Sequence, residues 1–405
     1  MKKLSLILVA GLLVFQVGCK DDDPIDETPA GPGESTTELL VASFTAAPTM
    51  DGDIDAMWGN AQKLVGTTEV PTLGARNTYL NSDGAGIEEG LGLFFPYSGE
   101  KNNFSMRSGT YGDDIFFLIE WDDSEDSMDR QSWYFDSNDS KWKQEHKYAN
   151  ASDDKYYEDK FAFLFPIGEV AGFSSSSCYA TCHGTGGAIA NPKDKHTRHY
   201  LTGANEKIDM WHWKRVRGTH NDRVDDQMMT WADPSLGSGA NGRHGDSDGS
   251  AGYSNNSVTF NVGGVDITVP KYIDPLRTSY FWITEEEAGT SALEVVGVDA
   301  NGVLQLSNTT LLDPAGDAGF AKGTGNKRVP SVITSDFTGG RADISIKAVH
   351  TGSGWVCEVQ RKLNTNDVDD VVFDKTAELP FGFAIFNNAA IAHGIKTNLT
   401  MKFAN

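Results

Sequence analysis

Asp114-Ile115-Phe116-Phe117-Leu118-Ile119-Glu120-Trp121 is the stretch that decides the fold class of this chain. It has the length of a strand, is built from β-branched and aromatic residues, and lies between turn formers: Gly112-Asp113 before it, Asp122-Asp123-Ser124 after it. Runs of the same kind recur at Lys160 to Pro166, Ser257 to Val269, Asp343 to Val349, Trp355 to Leu363 and Phe381 to Phe386, bounded by Gly, Asn and Asp clusters. Helical periodicity is weak throughout, and no repeat of fixed period is evident. With 43 Gly in 405 residues and long polar connections, the expectation is an all-β chain: an antiparallel β-sandwich with long loop insertions. Two of those loops stand out, Arg130 to Asp154 with Trp133 and Trp142, and the Gly/Ser/Asn/Asp-rich Asp233 to Asn256, which reads as an exposed excursion.

Before the strands come two segments of different character. Lys2 and Lys3, an apolar run from Leu4 to Phe15 and a closing Gly18-Cys19 describe a secretory signal over residues 1–18, too short for a bilayer anchor. Gly18-Cys19 resembles a bacterial lipoprotein signal, although Gln16 stands where Leu is usual; Cys19 is then the lipidated first residue. Lys20-Asp21-Asp22-Asp23 resembles the acidic signal that sends such lipoproteins to the cell surface. Residues 19–43 read as a flexible acidic, Pro- and Gly-rich tether, and 44–405 as one domain. The expected location is the bacterial outer membrane, surface facing, held to the membrane by the lipid on Cys19. Loss of Lys2 and Lys3 moves the formal charge from −23 to about −25. Such a chain repels nucleic acid, which is excluded as a partner, and suits a basic protein partner.

Cys178-Tyr179-Ala180-Thr181-Cys182-His183 carries the chemistry. Two cysteines followed at once by a histidine is the arrangement that attaches a c-type haem, the thiols adding to the vinyl groups and the histidine ligating the iron. The usual spacing has two residues between the cysteines; here there are three. A Cys178–Cys182 disulfide and a zinc site including His183 remain open readings, the latter weakened by the lack of a second Cys/His pair at finger-like spacing. Export to an oxidising compartment permits both the disulfide and the haem.

Asp209-Met210-Trp211-His212-Trp213-Lys214 follows some thirty residues later. If extended, its alternation places Met210, His212 and Lys214 on one face and Trp211 and Trp213 on the other. The first face offers a thioether, an imidazole and an amine to an iron atom; the second offers two large rings to a core. Arg215 and Arg217 are candidates for pairing haem propionates, and Asp225 and Asp226 for supporting hydrogen bonds, with ordinary salt bridges an equal alternative for all four. Trp133 is a candidate cover for the cofactor's edge.

The order Phe163-Leu164-Phe165-Pro166, the cysteine motif, Met210-Trp211-His212-Trp213-Lys214 and Asp225-Asp226-Gln227 resembles the haem-binding domain family related to the γ subunit of ethylbenzene dehydrogenase and of dimethylsulfoxide-reductase-type enzymes. Asp51 to Trp58 and Met106 to Asp123 fit its opening strands, Trp355 to Leu363 and Phe381 to Asn388 its closing ones, so the likeness covers Phe44 to Asn405. It implies a β-sandwich holding one haem near its core and working in one-electron transfer. In the γ subunits the haem is b-type, held by a methionine and a lysine. Lys214 matches the lysine; the methionine falls at Cys178 to His183, so His183 would replace it and the haem would become covalent. Lys214 inherits the sixth-ligand role by position, and His212 suits it by chemistry, since neutral imidazole has no ammonium proton to lose; Met210 stands behind both.

Asp51, Asp53 and Asp55 open like a calcium loop, but Ala56 and Gln62 stand where Gly and Glu are needed. Cys357 reads as a small core hydrophobe and His393 as a structural histidine. No catalytic apparatus is evident, so the chain is expected not to be an enzyme. The expected function is a surface-anchored mono-haem c-type cytochrome, with one covalent haem c, passing single electrons to or from a redox partner protein. The alternative is a non-haem, cell-surface carbohydrate- or ligand-binding β-sandwich with a Cys178–Cys182 disulfide.

Overall fold

The structure, a computed structural model, describes residues 33–70, 99–145, 156–177, 201, 205–230, 242–246, 249–322, 325–390 and 392–404. Its main sheet uses the strands β1 (Glu38–Ser43), β2 (Lys63–Glu69), β3 (Lys101–Tyr111), β4 (Asp114–Asp122), β5 (Lys160–Ile167), β6 (Lys207–Lys214), β7 (Asp225–Thr230), β8 (Arg243–Gly245), β9 (Ser345–His350), β10 (Gly354–Lys362), β11 (Leu379–Phe386) and β12 (Gly394–Phe403). The spatial order is β8-β7-β6-β5-β11-β12-β1-β3-β4-β10-β9, with β2 beside β3. The sheet folds over on itself, so that β5, β6, β7 and β11 form one layer against β3, β4 and β10. At the far edge Val224 N–H donates to the Ile344 carbonyl at 3.1 Å, bringing the two ends of the path together again. The all-β sandwich expected from the sequence is therefore present.

The opening stretch is β4. It pairs with β3 through a hairpin closed by Tyr111 and Asp114, whose first turn residue, Gly112, has φ +60°. That left-handed conformation costs glycine nothing and suits the two-residue loop. Ile115, Phe117, Ile119 and Trp121 face the inter-layer core, while Phe116 and Leu118 face a smaller cluster with Trp58 and Ala61. Both faces of β4 are buried, which is why the run is continuously apolar rather than alternating. Across the layers Trp121 meets Trp213 at 6.1 Å and Phe117 meets Trp211 at 5.6 Å, while within its own layer Trp213 stacks on Phe161 at 5.6 Å. Cys357 lies in this core as a buried free thiol, as expected of a small hydrophobe.

Several details differ from the sequence reading. β1 is parallel to both its neighbours, β12 and β3, within an otherwise antiparallel path. It also begins inside the stretch read as tether, because Leu39 and Val41 alternate into the core. Ser257 to Val269 is a hairpin, not one strand: Val258–Val262 turns at Gly263 and Gly264, both at positive φ, into Val265–Val269. The stretch beginning at Arg130 contains a second hairpin, Trp133–Asp136 with Lys141–Gln144. Trp133, Phe135 and Trp142 join Val269, Ile273, Val295, Leu304, Leu306, Phe320 and Val329 in a core separate from the first. Trp133 donates through Nε1 to the Asn256 carbonyl at 3.0 Å, so it is a core residue and not a cofactor cover. The expected excursion at Asp233 to Asn256 likewise supplies β8 and the short strand Tyr253–Asn255. These local polar patterns were overridden by long-range pairing, such as the bridge between Trp133 and Val329. Among the described residues no helix is long and apolar enough to cross a membrane.

Trp213→Ala should remove about 3–5 kcal/mol of stability, since it empties the centre of the inter-layer core. Leu311→Ala, at a position 67% exposed, should change stability by less than about 0.5 kcal/mol. Urea unfolding of the two variants checks the contrast.

Candidate functional site

β6 lies between β5 and β7, and its alternation is as the sequence predicts. Asp209, Trp211 and Trp213 point between the layers. Ile208, Met210, His212 and Lys214 point to the outer face, where they meet partners in register: Lys160 opposite Lys214, Ala162 and Asp225 opposite His212, and Leu164 and Gln227 opposite Met210. β5 and β11 follow the same rule. Phe161, Phe163 and Phe165, with Phe381, Phe383 and Ile385, fill the core; Ala162, Leu164, Gly382 and Ala384 line the outer face. The middle of that face is therefore a floor of small residues, rimmed by Leu164, Met210 and Phe386 in a second apolar cluster.

His212 is 5% exposed. Its Nδ1 lies 3.4 Å from Gln227 Oε1 and 3.5 Å from Arg243 Nη1, and its Nε2 is buried with no hydrogen-bond partner. Burial, reinforced by the cations of Lys214, Lys160, Arg243 and Arg217, pushes its pKa well below the ordinary imidazole value. The ring is neutral at physiological pH, and Nε2 is a buried lone-pair or N–H position waiting for a partner. The second feature of His212 is its neighbour: Phe386 lies 5.6 Å away and stacks in turn on His393 at 4.4 Å.

Lys214 is placed differently. Its ammonium forms an ion pair with Asp225, which Arg341 also clasps, and it donates to Tyr253 Oη at 3.5 Å. Burial alone would raise the Asp225 pKa, but Lys214 and Arg341 outweigh it and hold this carboxylate below its usual value. Lys214 pushes the Tyr253 phenol down to about 8. To ligate a metal, Lys214 would have to surrender a proton and its carboxylate partner; His212 surrenders neither. Met210 sits on the same face within the apolar cluster.

Arg215 and Arg217 are not left over for an external carboxylate. Arg215 grips Asp126 with two hydrogen bonds, at 2.6 and 2.8 Å, and Arg217 Nε donates to Glu158 Oε1 at 2.6 Å. Glu158 also accepts from the backbone N–H groups of Val216 and Arg217, so the pair is matched inside the protein. Of the two neighbouring aspartates, Asp225 serves Lys214, whereas Asp226 points between the layers, away from this face.

Cys178, Cys182 and His183 lie outside the described residues, as does Cys19. Ser177, the residue before Cys178, is described. Ser177 is buried, closes the one-turn helix α1 (Phe173–Ser176), and lies against β11, where a Cβ on Gly382 would stand 3.0 Å from its own Cβ. Gly382 pairs with Leu164, and Leu164 with Met210. Ser177 thus lies on the same sheet face as His212. Lys160, Gln227, Arg243 and Phe386 surround that histidine and were missed by motif reading. The alternation Lys160-Phe161-Ala162-Phe163-Leu164-Phe165 marked which residues share its face, but not that they would meet it.

The family model described as ethylbenzene dehydrogenase matches residues 67–397. No curated protein matches the chain. Among solved structures, a family 9 carbohydrate-binding module from Caldicellulosiruptor kristjanssonii in complex with glucose aligns at 8% identity over 91% of this chain and 96% of that one. Its TM-score of 0.29 is too low to bear on ligand or function.

The folded-state pKa of His212 lies below the ordinary 6.5, so the unfolded chain takes up this proton first as the pH falls. The residue's contribution to stability is full above 6.5 and is lost on acidification towards the folded value. In chain prepared without cofactor, lowering the pH from about 7.5 to 5 should shift the urea midpoint of the parent downward relative to that of His212→Gln, the difference between the two isolating this residue from the buried carboxylates that titrate in the same range. Equal shifts would mean that His212 is not held neutral by burial.

Proposed function

Because the chain belongs to the ethylbenzene dehydrogenase family, we propose that it is a mono-haem c-type electron-transfer protein and not an enzyme in its own right. The observation that carries this reading is the buried, neutral His212, whose Nε2 has no partner, on the same sheet face as Ser177, the residue before Cys178. The residues fit the group: an apolar floor of Ala162, Gly382 and Ala384, an orphaned imidazole nitrogen, and two cysteines and a histidine at the head of the following segment. Cys178 and Cys182 would hold the haem as thioethers, His183 would ligate its iron from one side, and His212 would be the sixth ligand.

When bound, haem supplies a reversible one-electron couple at its iron. The protein's part is to hold and to exclude. Gln227, with its amide oxygen towards Nδ1, orients the His212 ring; in the tautomer whose Nδ1–H donates to that oxygen, Nε2 is left as a lone pair able to ligate. Lys214 is ion-paired with Asp225, which ranks it below His212, with Met210 third. Arg243, whose guanidinium donates to Gln227 Oε1 at 3.2 Å, is a better candidate for a haem propionate than Arg215 or Arg217, which are already matched. We further propose that lipidated Cys19 anchors the chain at the outer membrane, facing outward, and that its acidic surface meets a basic redox partner protein.

Co-expression with a c-haem maturation system should give a red protein, a c-type pyridine haemochrome spectrum and a haem stain that survives denaturing electrophoresis. Cys178→Ala/Cys182→Ala should lose the stain. His212→Ala should change the low-spin spectrum, while Lys214→Ala should leave it low-spin. A colourless protein whose thiol count shows a Cys178–Cys182 disulfide would replace this reading with the non-haem binding module.

A further inference from the structure

On the opposite face of β6 and β7, between the layers, carboxylates gather. Asp209 from β6, Asp226 from β7 and Asp370 from the loop after β10 each bring an oxygen within 4.8 Å of the others, and all three are buried. Asp246, just past β8, and Asp343, just before β9, stand beside them. The only guanidinium in direct contact among the described residues is that of Arg361, fully buried on β10. It donates to Asp209 Oδ2 at 2.6 Å and to the Val371 carbonyl, and its plane lies 5.0 Å from the Trp211 ring. Val371 N–H shares the same Asp209 oxygen at 3.0 Å.

Those bonds leave much unmatched. Asp209 Oδ1, both oxygens of Asp226, both of Asp246, Asp343 Oδ1 and Asp370 Oδ1 are buried without a hydrogen-bond partner. Asp226 is the decisive case: it has no solvent exposure, neither of its oxygens meets a donor, and it is directed at Asp209 and Asp370. A buried carboxylate with no donor is costly; Asp226 and Asp246 have none, while Asp209, Asp343 and Asp370, the last accepting from Thr365 Oγ1 at its other oxygen, each keep one buried oxygen unmatched around a single arginine.

We propose that Asp209, Asp226 and Asp370 bind a calcium ion at this end of the inter-layer core, with Asp246 and Asp343 completing its oxygen shell directly or through water. Calcium takes six to eight oxygens at about 2.3–2.6 Å, so ligand oxygens around it stand up to about 5 Å apart, as here. The donor set is all carboxylate, with no imidazole or thiolate among the described residues at the site, which disfavours zinc and copper; the irregular array disfavours the strict octahedron of magnesium. The competing way to neutralise the cluster is protonation. Burial and mutual repulsion push Asp226 well above the usual carboxylate range, Asp246 to about 8 and Asp343 to about 7. A bound divalent cation removes that tendency. The ion would tie β6 and β7 to the loop after β10, one residue along the chain from Met210 and three from His212. It does not depend on the haem reading, since its ligands lie on the other face of the strand.

The test uses the full-length protein, stripped with EGTA and desalted. Terbium should bind and give luminescence sensitised by tryptophan, Trp211 being adjacent, and calcium should displace it. Calcium should also raise the thermal midpoint, and gel-filtered protein should retain the ion by elemental analysis. Asp226→Asn and Asp370→Asn should each weaken calcium binding by about tenfold or more, whereas Asp53→Asn, on the exposed N-terminal loop, should not. Should either variant fail to fold, the terbium and elemental measurements on the unaltered protein still decide. The proposal is overturned if unaltered protein neither binds terbium nor gains stability from calcium, the result expected of a cluster neutralised by protons. It is also overturned if Asp226→Asn and Asp370→Asn bind calcium as tightly as the parent.

Discussion

The packing of Trp211 and Trp213 between the two layers is the constraint on which everything else depends. Both rings are fully buried, and they touch Phe117, Trp121, Phe161, Phe163, Phe165, Trp355 and Phe373. Side chains on a strand alternate, so fixing these two inward fixes Met210, His212 and Lys214 outward; a slip of one residue would exchange the sets and expose two indoles. The position of the candidate iron ligand is thus a consequence of hydrophobic packing on the other side of its own strand. That strand is held on both sides, by β5 and β7, which limits any local rearrangement of His212.

Charge is then disposed around this apolar frame in matched buried groups. Arg217 with Glu158, Lys214 with Asp225 and Arg341, and Arg361 with Asp209 are all withdrawn from water. Buried ion pairs contribute little net stability, because desolvation offsets their attraction, but losing one member is costly. Their consequence here is assignment. Lys214 is committed to Asp225, Arg215 to Asp126 and Arg217 to Glu158, so the three cations that motif reading placed nearest the cofactor have protein partners, while the His212 imidazole has a buried nitrogen without one. The carboxylates around Arg361 lack that balance, which sets them apart from every other buried charged group along β6 and β7.

Much of this was legible in the sequence. The two faces of β6 followed from the alternation Met-Trp-His-Trp-Lys, and the strands around it from β-branched and aromatic runs between turn formers. The hairpin at Trp133 was not legible, because its strands are only four residues each, the second mostly polar, and they owe their burial to residues more than a hundred positions away. The aspartate cluster was equally hidden: Asp209, Asp226 and Asp370 share no motif spacing and come together only when β6, β7 and the loop after β10 are packed. Nor did sequence rank His212 against Lys214 beyond the chemistry of the free side chains.

By itself, then, the sequence determined what depends on local periodicity and residue type: an all-β chain, the outward set Met210, His212 and Lys214, and the cysteine pair with its adjacent histidine that makes a covalent haem the expectation. The tertiary structure decided what depends on neighbours distant in the chain. Asp225 and Arg341 engage Lys214, Gln227 orients His212, Gly382 lets Ser177 close against β11, and Asp370 joins two aspartates from adjoining strands. The physical reason is that period and propensity act over a few residues, whereas the protonation state and partner of a buried polar group are set by whatever the packed fold brings within a few ångströms of it.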